Sequence, residues 1–119
     1  MSWAWRVSIV GRAKDLIISG GYNIYPKEIE DVLDAVEGVE ETAVIGAPHP
    51  DLGEAVVALV VAKPGAMPSL ATLEQAAAAS LARFKQPRRI LIAPNLPRNP
   101  MGKVQKALLR EAHRDLFKI

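Results

Sequence analysis

The chain has 119 residues, half of them apolar, with fifteen Lys and Arg against thirteen Asp and Glu, a net charge of +2 and no cysteine. That length predicts one domain, spanning residues 1–119, with a modest core. The missing thiols exclude a disulfide framework, a cysteine zinc site and thiol catalysis, and no apolar run approaches the ~20 residues a membrane helix needs.

The opening MSWAWRVSIVGR has too short an apolar part to read as a signal peptide, so a cytoplasmic location is the expectation. Within it, Trp5, Val7 and Ile9 alternate as in a strand. KDLIISGG reads as a second short strand, closed by a turn at Gly20 and Gly21. Pro26 suits the first position of a helix. Ile29, Val32, Leu33 and Val36 behind it share one helical face, and Gly38 is the expected C-terminal cap. ETAVIGAP and AVVALVVAK predict two strands around the polar loop HPDLGE, the second apolar enough for a central position.

After a KPGAMPS turn, a helix from Ser69 or Thr72 is expected to run through LEQAAAASLARF, with Thr72 and Gln75 at capping-box spacing. Pro87 prevents its continuation, and RRILIA is another strand. The loop PNLPRNPMGK leads to a last helix with Leu108, Leu109, Ala112 and Leu116 on one stripe. The order β-β-α-β-β-α-β-α predicts an α+β domain. Its expected form is a small mixed β-sheet flanked by about three helices and preceded by a short two-stranded ribbon.

Charge is unevenly spread. Residues 1–82 hold five Lys and Arg against eleven Asp and Glu, whereas residues 83–119 hold ten against two, so the segments carry −6 and +8. A basic end points to anionic company or to a solvated helix surface.

Familiar catalytic patterns are absent. MGKVQ lacks the upstream glycine and the hydroxyl of a phosphate loop. His49 and His113 have no carboxylate cluster beside them and read as structural or exposed, so no metal site is expected. Glu28 and Glu30 read as helix-start and surface acids. Two polar, glycine-bearing segments are left: GRAKDLIISGGYNIYPKEIE and LPRNPMGKVQK. In the second, Pro97 and Pro100 stiffen the approach to Lys103. Spacing alone leaves two readings open, a lysine aimed at a fixed point or a solvated lysine on a connecting loop.

Together these two segments resemble the C-terminal lid domain of the adenylate-forming superfamily, which includes acyl-CoA synthetases, peptide-synthetase adenylation domains and luciferases. The resemblance covers residues 7–119, and VIGAPHPDLGEAVVALVV and LARFKQPRRILI follow the family's course between the motifs. RNPMGKVQKALLRE looks most like malonyl-CoA synthetases within it. The resemblance implies a two-step ligase of fatty-acid metabolism type. A carboxylic acid and ATP, with Mg2+, give an acyl-adenylate; the CoA thiol then displaces AMP, and the lid rotates between the two steps. It also implies a large N-terminal adenylation domain as partner, absent from this sequence, so the chain alone is expected to be inactive.

By position, the resemblance makes Lys103 the adenylation lysine, Lys14 the hinge and Arg12 a nucleotide contact. Ser19, Gly20, Gly21 and Tyr22 become the lining of the CoA pantetheine tunnel. On charge alone, Lys85, Arg88 and Arg89 suit either CoA phosphates or a solvated surface. Self-association through the exposed domain interface is a further expectation; a membrane partner is not. The alternative readings are a small basic nucleic-acid-binding module or a non-catalytic interaction domain with the same fold. The first is weakened because Phe84 and Phe117 read as core and no aromatic interleaves with the basic segment.

Overall fold

The computed structural model describes residues 16–117. The expected strand around Trp5 to Ile9 lies outside them, as do Arg12 and Lys14. The described chain runs β1 (Ile17–Ser19), β2 (Tyr22–Ile24), α1 (Pro26–Asp34), β3 (Val39–His49), β4 (Gly53–Ala62), α2 (Leu70–Ser80), a 3-10 turn (Arg83–Lys85), β5 (Arg89–Ala93) and α3 (Lys106–Ala112).

The class is α+β and the sheet is mixed. β4 lies at its centre, pairing antiparallel with β3 along Gly53–Ala62 and parallel with β5 along Val57–Val61. β1 shares β4's other edge at its start, where Ser19 sits opposite Gly53. β1 therefore belongs to the main sheet and pairs with β2; the first strand of the expected leading ribbon lies outside the described residues. The period-two rule missed β2 because Tyr22–Ile24 is only three residues long. Its antiparallel partner, not its pattern, makes it a strand.

β4 is apolar on both sides because it is covered on both. Val56, Ala58 and Val60 face one core with Ile29 and Leu33 of α1, Leu73 and Ala77 of α2, and Ile90 of β5. Val57, Leu59 and Val61 face a second, smaller core with Ala43, Ile45, Leu96 and Leu109. The sheet is thus sandwiched between α1 and α2 on one side and α3 with the chain around it on the other.

Helix ends depart from expectation for local reasons. α1 stops at Asp34, and a turn through Ala35–Glu37 separates it from Gly38, whose φ of +91° swings the chain into β3. Ser69, not Thr72, caps α2: its hydroxyl accepts the Thr72 N–H at 3.1 Å. α2 ends at Ser80, well before Pro87, and the chain re-forms only the 3-10 turn. α3 is shorter than its pattern, ending at Ala112. Its inward residue is Leu109, with Leu116 half-buried beyond the helix, while Leu108 is 53% exposed.

Ile29 is fully buried between α1 and the sheet. We predict that Ile29→Ala lowers stability by about 2–5 kcal/mol in thermal unfolding; a change near zero would mean that α1 is not docked through this face.

Candidate functional site

Lys103 sits where the chain reverses between Leu96 and α3. Arg98 and Val104 pair across the reversal as an isolated antiparallel bridge. Inside it, the Asn99 N–H donates to the Lys103 carbonyl at 2.9 Å and the Gly102 N–H to the Asn99 carbonyl at 2.9 Å. The Asn99 side chain then does what the prolines alone cannot: its Oδ1 accepts the Met101 N–H at 2.9 Å and the Lys103 N–H at 3.0 Å. This is the habit of Asn at turns, satisfying backbone donors a few residues on. Gly102 closes the corner with φ +86°. Lys103 is exposed, its backbone held on both sides.

Two ion pairs tie the corner to the body. Before it, the Arg98 guanidinium donates to the Gly102 carbonyl at 2.7 Å and to the Glu41 carboxylate on β3. The hydrogen bond that Arg98 donates to Glu41, reinforced by the carboxylate's charge, holds Arg98 above its ordinary pKa. After the corner, Lys106 pairs with Glu30 of α1 at 2.6 Å. Glu30 is therefore not a surface acid. Its side chain is 16% exposed, and it also accepts the Val44 N–H of the outer strand β3 at 2.9 Å. Glu28 is exposed in the first turn of α1, as expected, and pairs with Lys85.

At the other end of β4, Gly20 and Gly21 have φ of +57° and +86°, the signs of a tight two-residue hairpin turn. The Gly20 N–H donates to the Leu52 carbonyl at 2.9 Å, locking the turn onto the β3–β4 loop. Glu54 anchors the strand behind it by accepting the Ile18 N–H at 3.0 Å. Gly46 makes room for that carboxylate, since a Cβ there would lie 3.0 Å from it. The polar loop between these strands is braced by His49, whose Nδ1 accepts the Asp51 and Leu52 N–H groups at 3.1 and 3.2 Å. The glycines and histidine of VIGAPHPDLGE thus shape the platform for the Gly20–Gly21 turn.

Beside that turn lies a cleft of about 230 Å3 lined by Ser19, Gly20, Tyr22, Leu52, Arg83, Phe84 and Arg88, among others. Three of the four expected tunnel residues line it; Gly21 does not. Phe84 is not core: it is 42% exposed and stacks on Tyr22 at 4.3 Å. Lys85 is drawn away to Glu28 and over the Phe84 ring, so Arg83 and Arg88 supply the cleft's cations. Arg83 escaped notice because the continuous helix expected there hid the 3-10 turn that presents it. Among the described residues no group of three His, Asp or Glu is placed to hold a metal ion.

A family model, the AMP-binding enzyme C-terminal domain, matches residues 28–103. The chain is 46% identical over 105 residues to the long-chain-fatty-acid–CoA ligase FadD13 of Mycobacterium tuberculosis, covering 88% of this chain and 21% of that one. It is 44% identical over 106 residues to 4-chlorobenzoate–CoA ligase of a Pseudomonas strain, covering 88% and 20%. The crystal structure of apo MatB from Rhodopseudomonas palustris superposes with a TM-score of 0.86 at 51% identity, covering 90% of this chain and 21% of that one. The chain therefore spans about a fifth of the length of the relatives it matches.

Gly102 has open space around it, with no atom within 4 Å of a Cβ built there, so its φ alone opposes a side chain. Gly102→Ala is expected to lower stability by about 1 kcal/mol in urea unfolding; a neutral or stabilising result would show that the corner relaxes freely.

Proposed function

The chain belongs to the AMP-binding enzyme C-terminal domain family, and from that premise we propose that it is the lid of an ATP-dependent acyl-CoA ligase. In this reading a carboxylic acid and ATP give an acyl-adenylate and pyrophosphate on a partner N-terminal adenylation domain. CoA then converts the adenylate to acyl-CoA and AMP. Lys103 serves the first step and the Gly20–Gly21 turn the second.

The observation that carries this reading is an exposed lysine on a corner that is internally hydrogen-bonded and ion-paired at both flanks. Adenylation brings two anions together and builds charge on phosphoryl oxygens. A lysine is a compact positive charge on a flexible stem, so it needs a fixed base to be aimed. A preorganised cation in a site closed to water lowers that barrier with little reorganisation. For the second step, positive-φ glycines let a thin pantetheine arm run close to backbone. The Tyr22–Phe84 stack with Arg83 and Arg88 suits the flat base and phosphates at the far end of CoA.

The distance between the two places supports a moving lid. The corner is tied to Glu41, opposite Val61, and the turn abuts Gly53 through Ser19. Along β4 those points are eight residues apart, from Gly53 to Val61, or about 26 Å at strand rise. One rigid body cannot present both to one reaction centre without turning. Lys14 is the proposed hinge and Arg12 the proposed nucleotide contact, and Mg2+ would enter with ATP. For the acid, relatives of nearly equal identity carry the names of a long-chain fatty acid and of 4-chlorobenzoate, so the lid does not choose it. Malonate is favoured by the resemblance of RNPMGKVQKALLRE.

In a ligase carrying this lid, Lys103→Ala is expected to slow acyl-adenylate formation by about 10²–10³ while leaving CoA transfer from supplied adenylate unchanged. Equal loss in both half-reactions would contradict the role. Arg88→Glu is expected to raise the KM for CoA about tenfold or more, with adenylation unaffected; an unchanged KM would remove Arg88 from the CoA path.

A further inference from the structure

We propose that Glu30 and Glu41 are positioning residues that brace the Lys103 corner from either side. The inference rests on the reading of Lys103 as the adenylation lysine for its consequence in the reaction, but on geometry alone for the bracing. Arg98 lies five residues before Lys103 and Lys106 three after it. Each cation reaches a carboxylate distant in sequence, Arg98 to Glu41 and Lys106 to Glu30.

The two anchors differ in strength. Arg98 and Glu41 keep 41% and 29% side-chain exposure, where water screens an ion pair and leaves it a weak tie. Arg98 gains more by geometry, because one guanidinium spans Glu41 and the Gly102 carbonyl inside the corner. Lys106 and Glu30 are 15% and 16% exposed, so losing one partner leaves the other poorly solvated.

Lys106 also stands at the first position of α3, the end where amide dipoles oppose a positive charge. Local electrostatics would put an acid there; Glu30 offsets the mismatch. Glu30 in turn closes the open edge of the sheet at the Val44 N–H. One carboxylate thus joins α1, the outer strand and the start of α3. Displacing a reacting group by about 1 Å can cost roughly 10²-fold in rate, so these carboxylates act on the reaction through Lys103 without touching substrate.

The test compares Glu30→Gln and Glu41→Gln with Asp31→Asn. The last removes the same charge from α1, but its carboxylate pairs with the exposed Lys27. In the 119-residue chain, amide hydrogen exchange at Asn99, Gly102 and Lys103 is expected to quicken several-fold in the two Gln variants. Exchange in the β4 ladder should hold, and Asp31→Asn should change nothing. In a ligase carrying the lid, both Gln variants should slow adenylation by about tenfold to a hundredfold and spare CoA transfer from supplied adenylate. Unchanged exchange at the corner, equal loss in both half-reactions, or the same effect from Asp31→Asn would overturn the proposal. If Lys103→Ala leaves adenylation intact while the Gln variants still loosen the corner, the bracing stands and the adenylation reading falls.

Discussion

An ammonium group on a four-carbon stem has charge but little direction. Any structure that uses one must fix the backbone it springs from. Here that is done in layers: backbone N–H groups donating to the Asn99 side chain inside the corner, ion pairs at its flanks, and a doubly covered strand beneath. Because β4 is buried on both faces, the carboxylates of β3 and α1 sit on a close-packed frame. A corner tied to a loose sheet would transmit motion rather than aim.

The same strand carries the second of the two proposed functional places at its other end. The Gly20–Gly21 turn is docked on the β3–β4 loop through the Leu52 carbonyl, and Glu54 holds its strand in line. The domain is therefore one packed body with a proposed functional place at each end of β4. This gives a physical reason for a lid to work by rotation. Internal rearrangement would have to break the β3–β4 ladder, whereas turning the whole body leaves it intact.

Much of this was legible in the sequence, and the losses have particular causes. The central position of β4, the positive-φ turn at Gly20–Gly21 and the stiff loop before Lys103 all follow from local rules, because each is set by its own residues. β2 escaped because three residues carry no usable period. The α3 stripe was misjudged because the helix stops after two turns, leaving Leu108 exposed while Leu116 returns to the core beyond its end. Phe84 reads as core because aromatic residues usually are; its partner Tyr22 lies far off in sequence. Lys85 looked available to phosphates until the fold brought Glu28 beside it. The largest miss was Glu30. Within KEIEDVLD it has the pattern of a surface acid, and its partners Val44 and Lys106 are visible only once α1, β3 and α3 meet. Asn99 did leave a signal, as an Asn before Pro in a glycine-ended loop.

The central claim is that the corner delivers the Lys103 ammonium to the mixed anhydride as it forms. The most direct measurement is a crystal structure of a ligase carrying this lid, bound to a non-hydrolysable acyl-adenylate mimic. The account predicts Lys103 Nζ about 3 Å from the mimic's acyl or phosphoryl-position oxygens, with the Arg98–Glu41 and Lys106–Glu30 pairs intact. Nζ turned to bulk solvent, with another cation at those oxygens, would contradict it.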